Sequence, residues 1–160
     1  MLNLRFSCFV LCCFALCFAV GCGSGSTVTG KVTFSDGTPL TVGKVMFTNG
    51  TTTAFGQIDA KGEYRMGTKK AKDGVPPGTY QVYITEALVP GDASLARKDD
   101  EGEMVTPLVL AIAPKFTTAS QSGLTCEVKG SMKHDITVEK PPANYNPEPL
   151  PDVVRPRGAD

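Results

Sequence analysis

Few side chains in this sequence could carry chemistry. His134 is the one histidine, and the six cysteines are Cys8, Cys12, Cys13, Cys17, Cys22 and Cys126. Catalytic zinc normally takes three protein ligands, usually including histidine, which excludes a zinc hydrolase. A Ser-His-Asp assembly would have to use His134, and no nucleophile elbow is present. Between Lys133 and Asp135, at the start of a strand pattern, His134 reads as an exposed loop residue. Cys126 alternates with Leu124 and Val128, which puts it on the inward face of a strand as an inert thiol. The run Asp99-Asp100-Glu101-Gly102-Glu103 lacks the alternating ligands and flanking helices of a calcium loop and reads as solvated loop. Asp36 and Asp59 sit in turns, where aspartate bonds its own backbone. No Gly-rich phosphate loop precedes a helix. No basic stripe interleaves with aromatics, so nucleic acid is not expected as a partner. The sequence therefore predicts no catalytic residue, no metal site and no cofactor, that is, a protein that is not an enzyme.

The remaining cysteines belong to the N-terminus. Met1 to Ser7 carries one positive charge, Arg5, and from Cys8 to Val20 every residue is Cys, Phe, Val, Leu or Ala. A charged start followed by an apolar run of this length is the pattern of an export signal. Spanning a bilayer takes about 20 apolar residues, and Gly21-Cys22-Gly23-Ser24-Gly25-Ser26 ends the run early. Cys8, Cys12, Cys13 and Cys17 act there as small apolar residues. Ala19 and Gly21 are also small enough for a general signal peptidase, so plain secretion stays open as an alternative.

Ala19-Val20-Gly21-Cys22 resembles the lipobox of bacterial lipoproteins, with Ala19 where leucine is usual. The resemblance implies cleavage before Cys22, a diacylglycerol on its thiol and a fatty acid on its new amine. Residues 1–21 are then a lipoprotein signal peptide, and residues 22–26 a Gly/Ser tether that behaves as a coil. The expectation is an exported protein anchored to a bacterial cell membrane through lipidated Cys22. With Cys22 acylated, Cys126 is left alone and no internal disulfide forms, so stability must come from the core.

The elements follow from turn chemistry and period-two patterning. Charges balance, with 16 Lys+Arg against 16 Asp+Glu, and 17 Gly and 12 Pro punctuate 160 residues. In Thr27–Phe34, Val28, Val32 and Phe34 share a face; Val45 and Phe47 do so in a strand over Lys44–Asn49. Asn49-Gly50 marks a hairpin into Thr51–Ile58. Tyr64 and Met66, then Tyr80, Val82 and Ile84, then Leu124–Val128 and Asp135–Val138, repeat the alternation, with Lys69–Asp73 a polar loop. No window shows helical periodicity with caps. Short strands at such intervals predict an all-β, antiparallel sandwich over residues 27–140. The segment from Pro90 to Ala113 reads as a mobile charged loop followed by an extra or edge strand. Six prolines from Pro141 onward exclude a helix or central strand, which makes residues 141–160 a Pro-rich, disordered tail.

Four segments together resemble the transthyretin-like, carboxypeptidase-regulatory-like domains of bacterial surface lipoproteins. They are Gly30-Lys31-Val32 through Asp36–Leu40 to Val45-Met46-Phe47; Gly56–Tyr64; Pro77–Ile84; and Ala113-Pro114-Lys115-Phe116 with Ser122–Thr125 and Asp135–Val138. The resemblance implies a seven-stranded, prealbumin-like (Ig-like) sandwich without activity of its own, a non-catalytic envelope module binding protein or glycan or serving a structural role. A second expectation is an assembly partner that docks through its Pro-rich tail. Among related folds, hydroxyisourate hydrolases need more than one histidine and a C-terminal Tyr-Arg-Gly-Ser; this chain ends Arg155-Pro156-Arg157-Gly158-Ala159-Asp160.

Overall fold

The computed structural model describes residues 25–98, 102–143 and 145. The expected export signal, Cys22 and most of the Pro-rich tail lie outside the described residues.

The alternating segments form strands packed as an all-β sandwich. One sheet is antiparallel, in the order β10 (Leu124–Val128), β5 (Gly78–Thr85), β2 (Lys44–Thr48), β3 (Thr53–Gln57). The other is built on β1 (Val28–Phe34), flanked on one side by β4 (Glu63–Arg65) and on the other by β11 (Met132–Lys133) and β12 (Ile136–Val138). Inward residues of both sheets make one core. Val28, Val32, Val45, Phe47, Tyr80, Val82, Ile84, Val128 and Val138 are all buried. Each such fully buried large apolar side chain contributes roughly 1.5–3 kcal/mol. Cys126 is buried among them, as its alternation predicts.

Two departures from the sequence expectation are physical. First, the sandwich is not antiparallel throughout: β1 runs parallel to β11 and β12. Alternation reports which face a strand buries and is blind to the direction of its neighbour. Val28 faces Met132 and Val32 faces Ile136, a constant offset of 104 residues, so β11 and β12 are one strand interrupted at His134-Asp135. Second, His134 is not an exposed loop residue. It is half-buried, with its ring edge-on to Phe47 at 5.9 Å.

The two ends of the sandwich differ. At one end Ser26 exchanges backbone hydrogen bonds with Val75 (2.8 and 2.9 Å), just ahead of the start of β1. At the other, β1 ends beside β12, the Ala113 amide donates to the Glu139 carbonyl (2.8 Å), and Lys140 pairs with Asp36 (2.7 Å). From this second end a long excursion leaves β5 through Glu86, whose φ is 56°. It comprises β6 (Leu88–Pro90) paired with β9 (Leu108–Leu110), and beyond them β7 (Arg97–Lys98) paired with β8 (Met104–Val105). The extra strand expected near Leu108–Ile112 is therefore β9, in a ribbon of its own. None of its described residues from Leu88 to Leu110 is buried, and Leu95, Met104 and Leu108 are exposed.

Candidate functional site

Cys22, the one site residue predicted from sequence, lies outside the described residues. Of the other reactive side chains, Tyr80 and His134 meet Phe47 in the core. The Tyr80 ring lies 6.0 Å and the His134 ring 5.9 Å from that of Phe47, and Cys126 sits opposite Tyr80 across the β10–β5 pair. Burial pushes the Cys126 thiol and the Tyr80 phenol up. It pushes the Tyr64 phenol up as well, with a smaller push from Cys126 and Asp135. Burial lowers His134 against the opposing pull of Asp135. Each group is thereby held in its neutral form, the opposite of an activated thiolate.

Their polar atoms serve the scaffold. The Tyr64 hydroxyl donates to the His134 carbonyl, in the break between β11 and β12. The Tyr80 hydroxyl donates to the Pro76 carbonyl at 2.9 Å. A Cβ placed on Gly30 would sit 1.9 Å from the His134 oxygen. Glycine is what lets the broken strand and the Tyr64 hydroxyl close on β1. The sequence gives no signal for this tie, because its three members are far apart in the chain.

The turn aspartates act as expected. The Asp36 carboxylate accepts from the Thr38 amide and hydroxyl, and that of Asp59 from the Lys61 and Glu63 amides. Lys140 and these bonds hold Asp36 well below the usual carboxylate range, and the turn amides lower Asp59. Asp73, which sequence left inside a polar loop, closes the turn 68–73 by accepting from the Thr68, Lys69 and Lys70 amides. Among the described residues, no group of three or more His, Cys, Asp and Glu side chains is arranged to hold a metal ion. No described helix is long and apolar enough to cross a membrane.

Two surface features remain. An open cleft of about 630 Å³ lies on the outer face of the β4–β1–β11 sheet, lined by Thr29, Lys31, Gln57, Glu63, Arg65 and Lys133 among others. The second is the ribbon Leu88–Leu110 with its exposed apolar side chains.

No family model matches the chain, and no curated protein matches it. Among solved structures it is similar to a DUF3823 family protein from Bacteroides ovatus, at 14% identity and a TM-score of 0.40, over 72% of this chain and 45% of that one. It is similar to BcpA, the major pilin subunit of Bacillus cereus, at 10% identity and a TM-score of 0.37, over 73% of this chain and 30% of that one. A 9R-lipoxygenase from Cyanothece matches at 16% identity and a TM-score of 0.33, over 78% of this chain and 18% of that one. The chain spans less than half the length of each of these proteins, and likeness of this degree assigns no function.

Proposed function

We propose that this chain is a non-catalytic module of a bacterial cell envelope, exported, held at a membrane through acylated Cys22, and presenting its far end to another envelope protein or to a glycan. The supporting observation is the opposition of the two ends. The chain enters the body at the Ser26–Val75 clamp, and the ribbon carrying Leu95, Met104 and Leu108 leaves from the other end. An anchor at Cys22 thus points the exposed apolar surface away from the bilayer. Two or more acyl chains hold a protein stably, since each buried methylene contributes about 0.8 kcal/mol. The reactive side chains of the core are neutral and bonded to the scaffold, which suits a body that carries a surface rather than a reaction. The family resemblance of the sequence, to transthyretin-like lipoprotein domains, is part of the same proposal.

Intact mass of the mature protein tests the anchor. The expected species begins at Cys22 and carries acyl mass that is absent from a Cys22→Ala variant. A mature chain beginning at or beyond residue 23 with no fatty acid would refute it. A second reading, docking through the tail, is favoured by where the tail starts: Lys140 and Pro142 line an open pocket together with Pro114 and Lys115 at the ribbon's end of the sandwich. Pull-downs with and without residues 141–160 test it, and an identical partner set rejects it.

A further inference from the structure

We propose that the end of the sandwich where the tether enters is a cationic platform for the phosphates of anionic lipids, with Lys69, Lys70 and Lys72 at its centre and Arg65 and Lys133 beside them. This deepens the anchored reading and rests on it for the orientation of the body. Three observations carry it. The first is position: the backbone of Gly25 packs directly on Gly74, two residues after Lys72, and Ser26 is bonded to Val75. Cys22 and Gly25 are three residues apart, a reach of at most about 11 Å. An acylated Cys22 therefore keeps Gly25, and with it Gly74 at the foot of the 68–73 turn, within roughly one to one and a half Debye lengths of the headgroups.

The second observation is construction. The turn is closed on itself: a Cβ on Gly67 would meet the Lys70 oxygen at 2.1 Å, and three of its amides are taken by Asp73. That bonding turns the Asp73 carboxylate onto the turn's own amides with its charge kept, and leaves three exposed lysine side chains against that one negative charge. The third is contrast in charge pairing. At the ribbon's end the lysines are matched to carboxylates at 2.7 Å: Lys44 to Glu86, Lys115 to Glu139, Lys140 to Asp36. At the tether end Lys129 is likewise paired with Glu127 at 3.0 Å, whereas among the described residues no ion pair engages Lys69, Lys70 or Lys72. Lys133 is paired with Asp135 at 2.8 Å and borders the cleft that Arg65, Lys31 and Lys72 line together with Asp59 and Glu63, so the cationic excess lies at the 68–73 turn. Unpaired cations held beside an acyl anchor meet the negative potential of an anionic headgroup surface, which attracts basic side chains within a Debye length.

The test uses the full chain, matured in a bacterial host and reconstituted into phosphatidylcholine vesicles with or without phosphatidylglycerol. Lysine acetylation is followed site by site by mass spectrometry. Lys69, Lys70 and Lys72 are expected to react about fivefold more slowly when phosphatidylglycerol is present, and Lys44, Lys115 and Lys140 at the same rate in both. In the unacylated Cys22→Ala background, where no fatty chain holds the protein, K69Q/K70Q/K72Q is expected to lose salt-sensitive binding to phosphatidylglycerol vesicles while melting as its parent does. Equal labelling at the two ends overturns the proposal. So does equal retention on a soluble polyanion at the same ionic strength, which would make the patch a general anion surface. Intact mass of the same sample separates the two readings. A chain without acyl groups that still binds phosphatidylglycerol vesicles in a salt-dependent way fails the anchor and keeps the platform. An acylated chain labelled uniformly keeps the anchor and fails the platform.

Discussion

Replacing Tyr64 by phenylalanine isolates the tie that holds the broken strand against β1. The ring of Tyr64 is only 4% exposed and stays buried in Tyr64→Phe, so apolar packing is retained. What is lost is the donor to the His134 carbonyl, an acceptor that no other described group reaches. Leaving a buried acceptor without its partner costs about 1–3 kcal/mol, and this one is part-buried. The middle of that range, about 2 kcal/mol, corresponds in a body of this size to a fall of about 6–10 °C in Tm. Urea unfolding followed by tyrosine fluorescence, with the slope m unchanged, measures it directly. A second signature is the alkaline limb. Burial, with Cys126 and Asp135, raises the Tyr64 phenol above its ordinary value near 10. A group whose folded pKa is raised contributes stability that is fully present below the unfolded pKa and is lost as pH rises through the folded one. Stability should thus decline above about pH 10, less steeply in Tyr64→Phe, with Tyr80 and Cys126 accounting for what remains. A loss below about 0.5 kcal/mol, with an unchanged alkaline limb, would refute the assigned role of this hydroxyl.

Gly30→Ala drives a methyl group into the His134 carbonyl, and a loss of roughly 3 kcal/mol is expected by denaturant melt; a neutral effect would mean the strand can move aside. Cys126 should resist a disulfide reagent in the folded protein and react fully in denaturant, because the thiol is buried and its pKa raised. Reaction in the folded state at the rate of a free thiol would contradict that burial. His134 should titrate by NMR below its ordinary value near 6.5, because burial disfavours the imidazolium. Its contribution to stability is then present above the unfolded pKa and lost as pH falls through the folded one, so a midpoint above 6.5 would reverse the sign.

Most of the scaffold was readable along the chain. The period-two stretches at Val28–Phe34, Lys44–Thr48, Gly78–Thr85 and Leu124–Val128 are strands with the expected faces inward, since side-chain alternation is a local property of extended backbone. The Asp36 and Asp59 turns close on their own amides for the same reason: donor and acceptor are two to four residues apart. His134 was misread because its burial depends on Phe47, 87 positions away in the chain, whose ring it meets edge-on. Lys69–Asp73 reads from the sequence as a polar loop, with Lys69, Lys70 and Lys72 plain in it. What could not be read there was its contact with Gly25 through Gly74.

The sequence by itself determined the alternating strands, their turns, the neutral charge balance and the apolar run ahead of Cys22, because each is set by residues within one turn or one strand of each other. The tertiary structure alone decided that β12 runs parallel to β1, that Gly30, Tyr64 and His134 meet, and that the tether and the exposed ribbon lie at opposite ends. Those facts depend on pairings between segments about 35 to 104 residues apart, whose free energy comes from burying both faces at once and is invisible in either segment alone.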